Sequence, residues 1–170
     1  MNAAHLHLMV NHLPLFASLI ACGILAFGLY RRLPALVNVG LVLVFVAGVG
    51  ALLAGQTGER AEGIVEDLPG VTEAAIHEHE EAAEAASLVA ILAGLVALGG
   101  LALPDRAERM QRLVAIVTLA LSLGTFVLVA RAANLGGHIR HTEISAATAP
   151  GGSHSEGIRV GDAWSRGHAS

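Results

Sequence analysis

Four long uncharged stretches dominate the pattern of hydrophobic and polar positions along this chain. They cover residues 13–30, 33–58, 85–104 and 113–130. An α-helix needs about 20 apolar residues to cross the hydrocarbon layer of a membrane, where it satisfies its own backbone hydrogen bonds. The polar stripes that a soluble helical bundle would need are missing from these stretches. The pattern therefore predicts an all-α fold, a four-helix transmembrane bundle surrounded by the lipid bilayer.

The composition agrees with a membrane protein. Hydrophobic residues make up 54% of the 170 residues and charged residues only 14%, which excludes an ordinary soluble domain and gives no basic surface for nucleic acid. The single cysteine, Cys22, lies inside the first predicted span, so the chain cannot form an intramolecular disulfide. A Cys-x-x-Cys-His motif is absent, which excludes a covalently attached c-type haem.

The basic residues predict how the bundle is oriented. All ten are arginines, and five of them lie in the two short connections, after span one and between spans three and four. Because short basic connections stay in the cytoplasm, both termini and the long connection between spans two and three are expected on the outer, periplasmic side. The predicted location is the bacterial inner (cytoplasmic) membrane. The five arginines are Arg31, Arg32, Arg106, Arg109 and Arg112.

The connection between spans two and three is predicted to be an acidic helical outer loop. Over residues 56–84 it holds nine acidic residues against one basic residue, Arg60. Helical apolar spacing over 58–68 predicts a short helix along the membrane surface, ended by Pro69 and Gly70. Thr72 has the character of a helix N-cap, from which a helix is expected to continue into span three. The acidic face is explained either as a solvated surface or as a docking surface for a basic partner.

Two regions are predicted from the composition. Residues 1–143 form the four-span membrane domain, and residues 144–170, rich in alanine, glycine and serine, are expected to form a flexible outer tail. Within the membrane domain, small residues recur at four-residue spacing on span three and predict close helix packing. These residues are Ala82, Ala86, Ala90 and Gly94.

Histidines carry the functional prediction. The chain has nine, and seven of them flank the predicted outer ends of three spans. Any one of them is readily explained as an interfacial residue, but three helix ends that bring imidazoles to one depth offer ligands for a metal or a haem iron. The seven are His5, His7, His12, His77, His79, His138 and His141.

Two kinds of metal centre fit this set. A b-type haem would take one axial imidazole from His7 or His12 and the other from His79 or His141. Its propionates would meet cations, and Arg131 and Arg140 are the candidates near that end, although snorkelling to the interface explains Arg131 equally well. A single copper, zinc or iron ion would instead use the same imidazoles with a carboxylate from the pair Glu80 and Glu81.

The end of span four completes the predicted site. Gly136 and Gly137 are expected to end the helix and let the backbone turn back over the bundle. Such a turn would place His141 over the open end, above the other imidazoles. A plain helix stop would explain the glycines as well.

Three short motifs stand out at the predicted outer end: His7-Leu-Met-Val-Asn-His12-Leu-Pro14, His79-Glu80 and Gly136-Gly137-His-Ile-Arg-His141. They resemble a bacterial four-span membrane family, catalogued as number 2231 among the domains of unknown function. The resemblance covers roughly residues 6–143 and implies His7, His12, His79 and His141 as the important histidines. Family members occur beside or fused to c-type cytochromes, which implies an electron-transfer setting.

The leading hypothesis is a membrane-embedded, cytochrome-like subunit that holds one metal centre at the periplasmic face, with haem b favoured. It would act as an electron relay or accessory within a larger redox complex, beside other membrane subunits or a periplasmic cytochrome. The alternatives are an ion-binding membrane protein that uses histidine and glutamate, and a purely structural accessory subunit. Enzyme activity is not favoured, because the sequence offers no nucleophile, phosphate loop or acid–base pair in a pocket.

Overall fold

The computed structural model describes residues 3–65 and 72–140, with side chains placed over 7–58, 72–104 and 106–137. Within these ranges the regular structure is entirely helical, and a 3₁₀ turn, Asp105–Ala107, precedes the last helix. The α-helices are α1 (Ala3–Val10), α2 (His12–Arg31), α3 (Pro34–Val65), α4 (Glu73–Leu101) and α5 (Glu108–Arg140).

Four helical segments in the described part of the chain are long and apolar enough to cross a membrane. They are His7–Arg31, Pro34–Gly58, Glu73–Leu101 and Glu108–Gly137. Large apolar side chains such as Leu88, Leu95 and Val127 are more than half exposed on the bundle surface, where lipid tails would cover them. The prediction of an all-α protein with four spans is confirmed at this level.

The long helices pack in a ring. Helix α2 contacts α3 and α5, and α4 contacts the same two helices, while α3 and α5 touch only slightly across the bundle. Short connections join α2 to α3 and α4 to α5, so each pair is an antiparallel hairpin. The first hairpin includes α1, because residues His7–Arg31 form a single span. In the connection between α2 and α3, Arg32 adopts a left-handed conformation with φ 54°, and Leu33 N–H donates to the carbonyl of Gly28 at 2.9 Å.

Small residues set the distance between the two hairpins. Ala86, Ala90 and Gly94 of α4 are buried against α3, as their four-residue spacing predicts. A Cβ atom added to Gly48 would lie 2.9 Å from the carbonyl oxygen of Ala90 and 3.3 Å from Cα of Gly94. The backbones of α3 and α4 therefore come into direct contact here, which is possible only because the glycines at this point have no side chain.

A polar seam of hydroxyl side chains lies in the interior of the bundle. Ser122 on α5 donates a hydrogen bond to the backbone carbonyl of Ser18 on α2, at 3.1 Å. Thr118 and Thr125 lie one turn before and after Ser122, are at most 1% exposed, and find no hydrogen-bond partner for Oγ1 among the described residues. The Ser122 hydrogen bond joins α5 to α2, and such bonds help to hold membrane helices together where no hydrophobic effect does so.

The break between α1 and α2 follows from a proline. Pro14 has no N–H to donate to the carbonyl of Val10, and its ring would clash with that carbonyl in a continuous helix. Helix α1 accordingly ends at Val10, and α2 begins at His12 with Pro14 in its first turn. Asn11, between the two helices, keeps a helical backbone with φ −64° and ψ −21°, and α1 packs on α3.

Thr72 is the N-cap that the sequence predicts. Its hydroxyl accepts a hydrogen bond from the N–H of Ala75 at 3.3 Å, and Glu73 occupies the first turn of α4. Helix α4 then runs without interruption into the apolar region, as expected. Residues 66–71, which include the predicted break at Pro69 and Gly70, lie outside the described residues.

Two predicted helix ends are wrong. A separate surface helix over 58–68 was expected, yet α3 passes through Gly58 and continues to Val65. A helix stop was expected at Gly136 and Gly137, yet α5 passes through both and continues to Arg140, the last residue described. A glycine destabilises a helix interior by only about 1 kcal/mol, which the packing of neighbouring helices overrides. The tail, residues 144–170, lies outside the described part.

Candidate functional site

One end of the bundle collects the histidines that the structure describes. Helix α1 and the start of α4 meet the last turns of α3 and α5 there, because each hairpin returns its second helix to the end where its first helix began. The side chain of His7 reaches α3, and that of His79 reaches α5. Each of the two hairpins therefore contributes one imidazole at this end.

His7 is held against the last turns of α3. Its Nδ1 donates to the backbone carbonyl of Ala54 at 3.0 Å and lies 3.3 Å from Oγ1 of Thr57. The Thr57 hydroxyl itself donates to the carbonyls of Leu53 and Ala54, at 2.9 and 3.0 Å. Because a carbonyl oxygen only accepts, the ring proton of neutral His7 resides on Nδ1, and Nε2 keeps its lone pair.

His79 is held in the same way against α5. Its Nδ1 donates to the backbone carbonyl of Ala132 at 2.9 Å, and the ring is half-buried like that of His7. The neutral ring again carries its proton on Nδ1 and leaves Nε2 as the free donor atom for a metal. Histidines that bind metals characteristically donate their other nitrogen to a carbonyl or carboxylate, which orients the ring and raises its basicity.

Each of the two rings also packs on a helix glycine. A Cβ atom added to Gly58 would lie 3.3 Å from Cε1 of His7, and one added to Gly136 would lie 3.0 Å from Cε1 of His79. Gly136 therefore makes room for an imidazole inside a continuous helix instead of ending it. This contact gives the physical reason why a glycine stands at this point of α5.

His7 and His79 lie at the same end of the bundle, one held against α3 and the other against α5. Both rings are half-buried, and each keeps a free Nε2 atom. The sequence predicts a metal centre among the imidazoles at this end, and that stays a prediction.

His12 differs from this pair. Its ring is exposed, stacks on Phe16 with centroids 6.2 Å apart and an interplanar angle of 16°, and donates from Nδ1 to the carbonyl of Leu8 at 2.7 Å. Phe16 is itself 54% exposed on the apolar surface of α2. His12 thus belongs to the outer surface of the bundle, where an aromatic neighbour and its own helix hold it.

The two carboxylates predicted for an ion site lie on the exposed surface of α4. Glu80 and Glu81 are both exposed, and Glu81 lies 3.3 Å from Nε2 of His77, four residues earlier on the same helix face. Both members of this pair are more than two-thirds exposed. Across residues 7–58, 72–104 and 106–137, no group of three histidine, cysteine, aspartate or glutamate side chains is close enough to hold a metal ion.

Arg131 is exposed near the end of α5. It lines a shallow, open cavity together with Glu78 and Glu81 of α4. Arg131 therefore shares a cavity wall with two glutamates of α4, and its predicted role toward a haem stays a prediction. His141 and the side chain of Arg140 lie outside the described residues, so the predictions for both stand as they were made.

The chemistry of the donor set is compatible with a haem. Each ring donates from Nδ1 and leaves Nε2 for an iron, and the two rings come from different helices, α1 and α4. Next to His7, the side-chain oxygen of Asn11 is buried and has no partner among the described residues, although its backbone N–H donates to the carbonyl of His7 at 2.9 Å. A haem offers no donor to this oxygen, so the haem prediction rests on the two imidazoles alone.

Comparisons of the chain with protein-family models, curated proteins and solved structures return no match. The resemblance to the four-span family 2231 accordingly rests on the short motifs alone. The site residues that sequence reasoning overlooked are Ala54, Thr57 and Ala132, with Gly58 and Gly136 misread as helix ends. A signal that points to them is the spacing Ala-x-x-x-Gly, which occurs in the second helix of both hairpins.

Proposed function

We propose that this chain is a multi-pass subunit of a bacterial inner membrane that holds one haem b between His7 and His79. The observation that carries the proposal is that the two rings have the same tautomer and the same kind of hydrogen-bond partner. Each donates Nδ1–H to a helix carbonyl, at 3.0 and 2.9 Å, and each keeps Nε2 for a metal. The observed geometry favours this pair over any pair that includes His12, whose ring lies on the outer surface.

A haem bound here would supply a one-electron carrier. The chain's own residues orient the two rings through the carbonyls of Ala54 and Ala132, and these bonds make both Nε2 atoms better ligands. If both imidazoles bound the iron, His7 and His79 would leave it no place for a substrate, which suits electron relay. The proposed role is therefore that of a relay or accessory subunit in a redox complex.

The orientation follows from the arginines. Arg31, Arg32 and Arg106 lie at the end of the bundle opposite the histidine pair, as do Arg109 and Arg112. The positive-inside rule places that end in the cytoplasm and the histidine pair at the periplasmic face. Electrons would then be exchanged with a one-electron carrier on the periplasmic side, such as a periplasmic cytochrome, or with a neighbouring membrane subunit.

Absorption spectroscopy with metal analysis tests the proposal. Purified protein is expected to show a Soret band and, after dithionite, a sharp α band, with about one iron per chain. Substitution of His7→Ala or His79→Ala should remove most of this absorption, because each change deletes an axial ligand. The matched controls are His12→Ala and His77→Ala, whose exposed rings should be dispensable.

The same preparation decides between the proposal and its alternatives. Colourless protein with stoichiometric copper, zinc or iron would indicate an ion site instead of a haem. The His77–Glu81 pair is the candidate for such a site among the described residues. Colourless protein without metal would leave the structural role, supported by the close packing of α3 and α4. Either result would contradict the haem assignment.

A further inference from the structure

The two hairpins carry the same local arrangement. In the first, His7 donates to the carbonyl of Ala54 and packs on Gly58. In the second, His79 donates to the carbonyl of Ala132 and packs on Gly136. In both, the accepting carbonyl belongs to the residue four positions before the glycine, and the histidine precedes that carbonyl by a similar distance, 47 and 53 residues.

The contacts agree atom by atom. The nearest ring atoms to an added Cβ are Cε1 and then Nδ1 in both cases, at 3.3 and 3.5 Å for Gly58 and at 3.0 and 3.3 Å for Gly136. Both imidazoles therefore lie over the vacant side-chain position of a glycine in the same relative orientation. Two independent accidents of packing would not be expected to reproduce the order of the contacting atoms.

Helix geometry explains why the glycine and the carbonyl belong together. A side chain in a helix lies close to the carbonyl four residues earlier, which is why serine and threonine can bond back to it. Any side chain at position 58 or 136 would crowd the approach to the carbonyl of Ala54 or Ala132. With glycine there, an imidazole from another helix can reach that carbonyl as a second donor, beside the helix N–H.

We propose that Ala54 with Gly58 and Ala132 with Gly136 form two equivalent positioning sites, one in each hairpin of an internal repeat. They would present the Nε2 atoms of His7 and His79 as matched ligands to one bound group. The identity of that centre as haem rests on the proposed function, whereas the positioning of the rings does not. The bound group would thus join the two hairpins, each of which supplies half of its ligands.

The glycines are positioning residues and do not contact the iron. Their role is tested by Gly58→Ala and Gly136→Ala, with Gly55→Ala and Gly137→Ala as controls on the same two helices. A Cβ atom at either control position meets nothing within 4 Å among the described residues. All four changes raise the helix propensity equally, so a difference between the pairs reports the imidazole contact.

We expect haem affinity to fall roughly tenfold or more in the two test variants, as for loss of an outer-shell partner, and to stay unchanged in the controls. Gly136→Ala should have the larger effect, because its added carbon comes closer to the ring, 3.0 Å against 3.3 Å. Equal affinities in test and control variants, with haem bound to all, would overturn the positioning role while leaving the haem assignment intact.

A measurement on haem-free protein tests the positioning sites separately from the haem assignment. Solid-state NMR of protein with ¹⁵N-labelled histidine in bilayers reports which ring nitrogen is protonated. His7 and His79 should be in the Nδ1–H form in haem-free protein, and that form should be lost from His7 in Gly58→Ala and from His79 in Gly136→Ala. This result in a protein that takes up no haem would support the positioning sites and refute haem. Rings protonated on Nε2 in the wild type would overturn the inference.

Discussion

A backbone carbonyl decides which nitrogen of each imidazole is free. At the residue scale, His7 and His79 both donate a hydrogen bond to such a carbonyl on a neighbouring helix, α3 or α5. His12 also donates Nδ1–H to a carbonyl, that of Leu8, but within its own helix and on an exposed face. Burial and a partner on another helix, rather than the tautomer alone, mark a histidine as part of the site.

The His77–Glu81 pair should contribute little to stability. Both side chains are more than two-thirds exposed, and exposed pairs four residues apart on a helix are worth about 0.3–0.5 kcal/mol. We expect His77→Ala and Glu81→Ala to change the free energy of unfolding in detergent by no more than about this amount. A loss of several kcal/mol would show that the pair has a further partner.

Removal of the buried hydroxyls on α5 should change the free energy of unfolding in different directions, depending on whether the hydroxyl has a hydrogen-bond partner. Thr118→Val and Thr125→Val remove hydroxyls that lack a partner within the described ranges, so we expect the free energy of unfolding to stay the same or to rise by about 1 kcal/mol. Ser122→Ala removes the hydrogen bond to Ser18 and should lower it by about 0.6 kcal/mol. A clear loss in either threonine variant would reveal a partner such as an ordered water.

At the scale of elements, hydropathy was sufficient to predict the helices, but not their ends. The four apolar stretches and the Thr72 cap were correct because lipid and capping act locally. Gly58 and Gly136 were misread because their reason lies in another helix, where an imidazole occupies the missing side-chain position. Local sequence rules cannot detect the contacts of His7 with α3 and of His79 with α5, because the partners are 47 and 53 residues apart in the chain.

The contact between α3 and α4 offers a test of packing. A Gly48→Val substitution would force side-chain atoms into the carbonyl of Ala90, so we expect a loss of about 1–3 kcal/mol in the free energy of unfolding. Gly99→Val on α4 is the matched control, because a Cβ atom there meets no described residue within 4 Å. Equal losses in both variants would indicate a general helix effect and contradict the close approach.

At the scale of the whole molecule, two antiparallel hairpins bring one histidine each to the same end of the bundle. The sequence placed these histidines at a common depth from helix positions alone, and the structure adds which helices they contact. It also ranks them, since His7 and His79 are half-buried whereas His12 and His77 are exposed. The prediction for His141 falls outside the described residues.

Cysteine labelling tests the orientation of the bundle. In a Cys22→Ser background, Glu73→Cys marks the histidine end and Arg106→Cys marks the arginine end. If the arginine end is cytoplasmic, a membrane-impermeant maleimide should label the first variant in intact cells and the second only after permeabilisation. The reverse pattern would place the histidine pair in the cytoplasm and exclude a periplasmic electron partner.

The most direct measurement of the central claim is the Soret absorbance of His7→Gly and His79→Gly protein before and after addition of free imidazole. Each substitution leaves a space shaped for the missing ring beside its positioning carbonyl. The account predicts that each variant loses the absorbance of the wild type and regains most of it with imidazole, because the ligand is restored without its tether. Undiminished absorbance in both variants, or a wild-type protein without a Soret band, would contradict it.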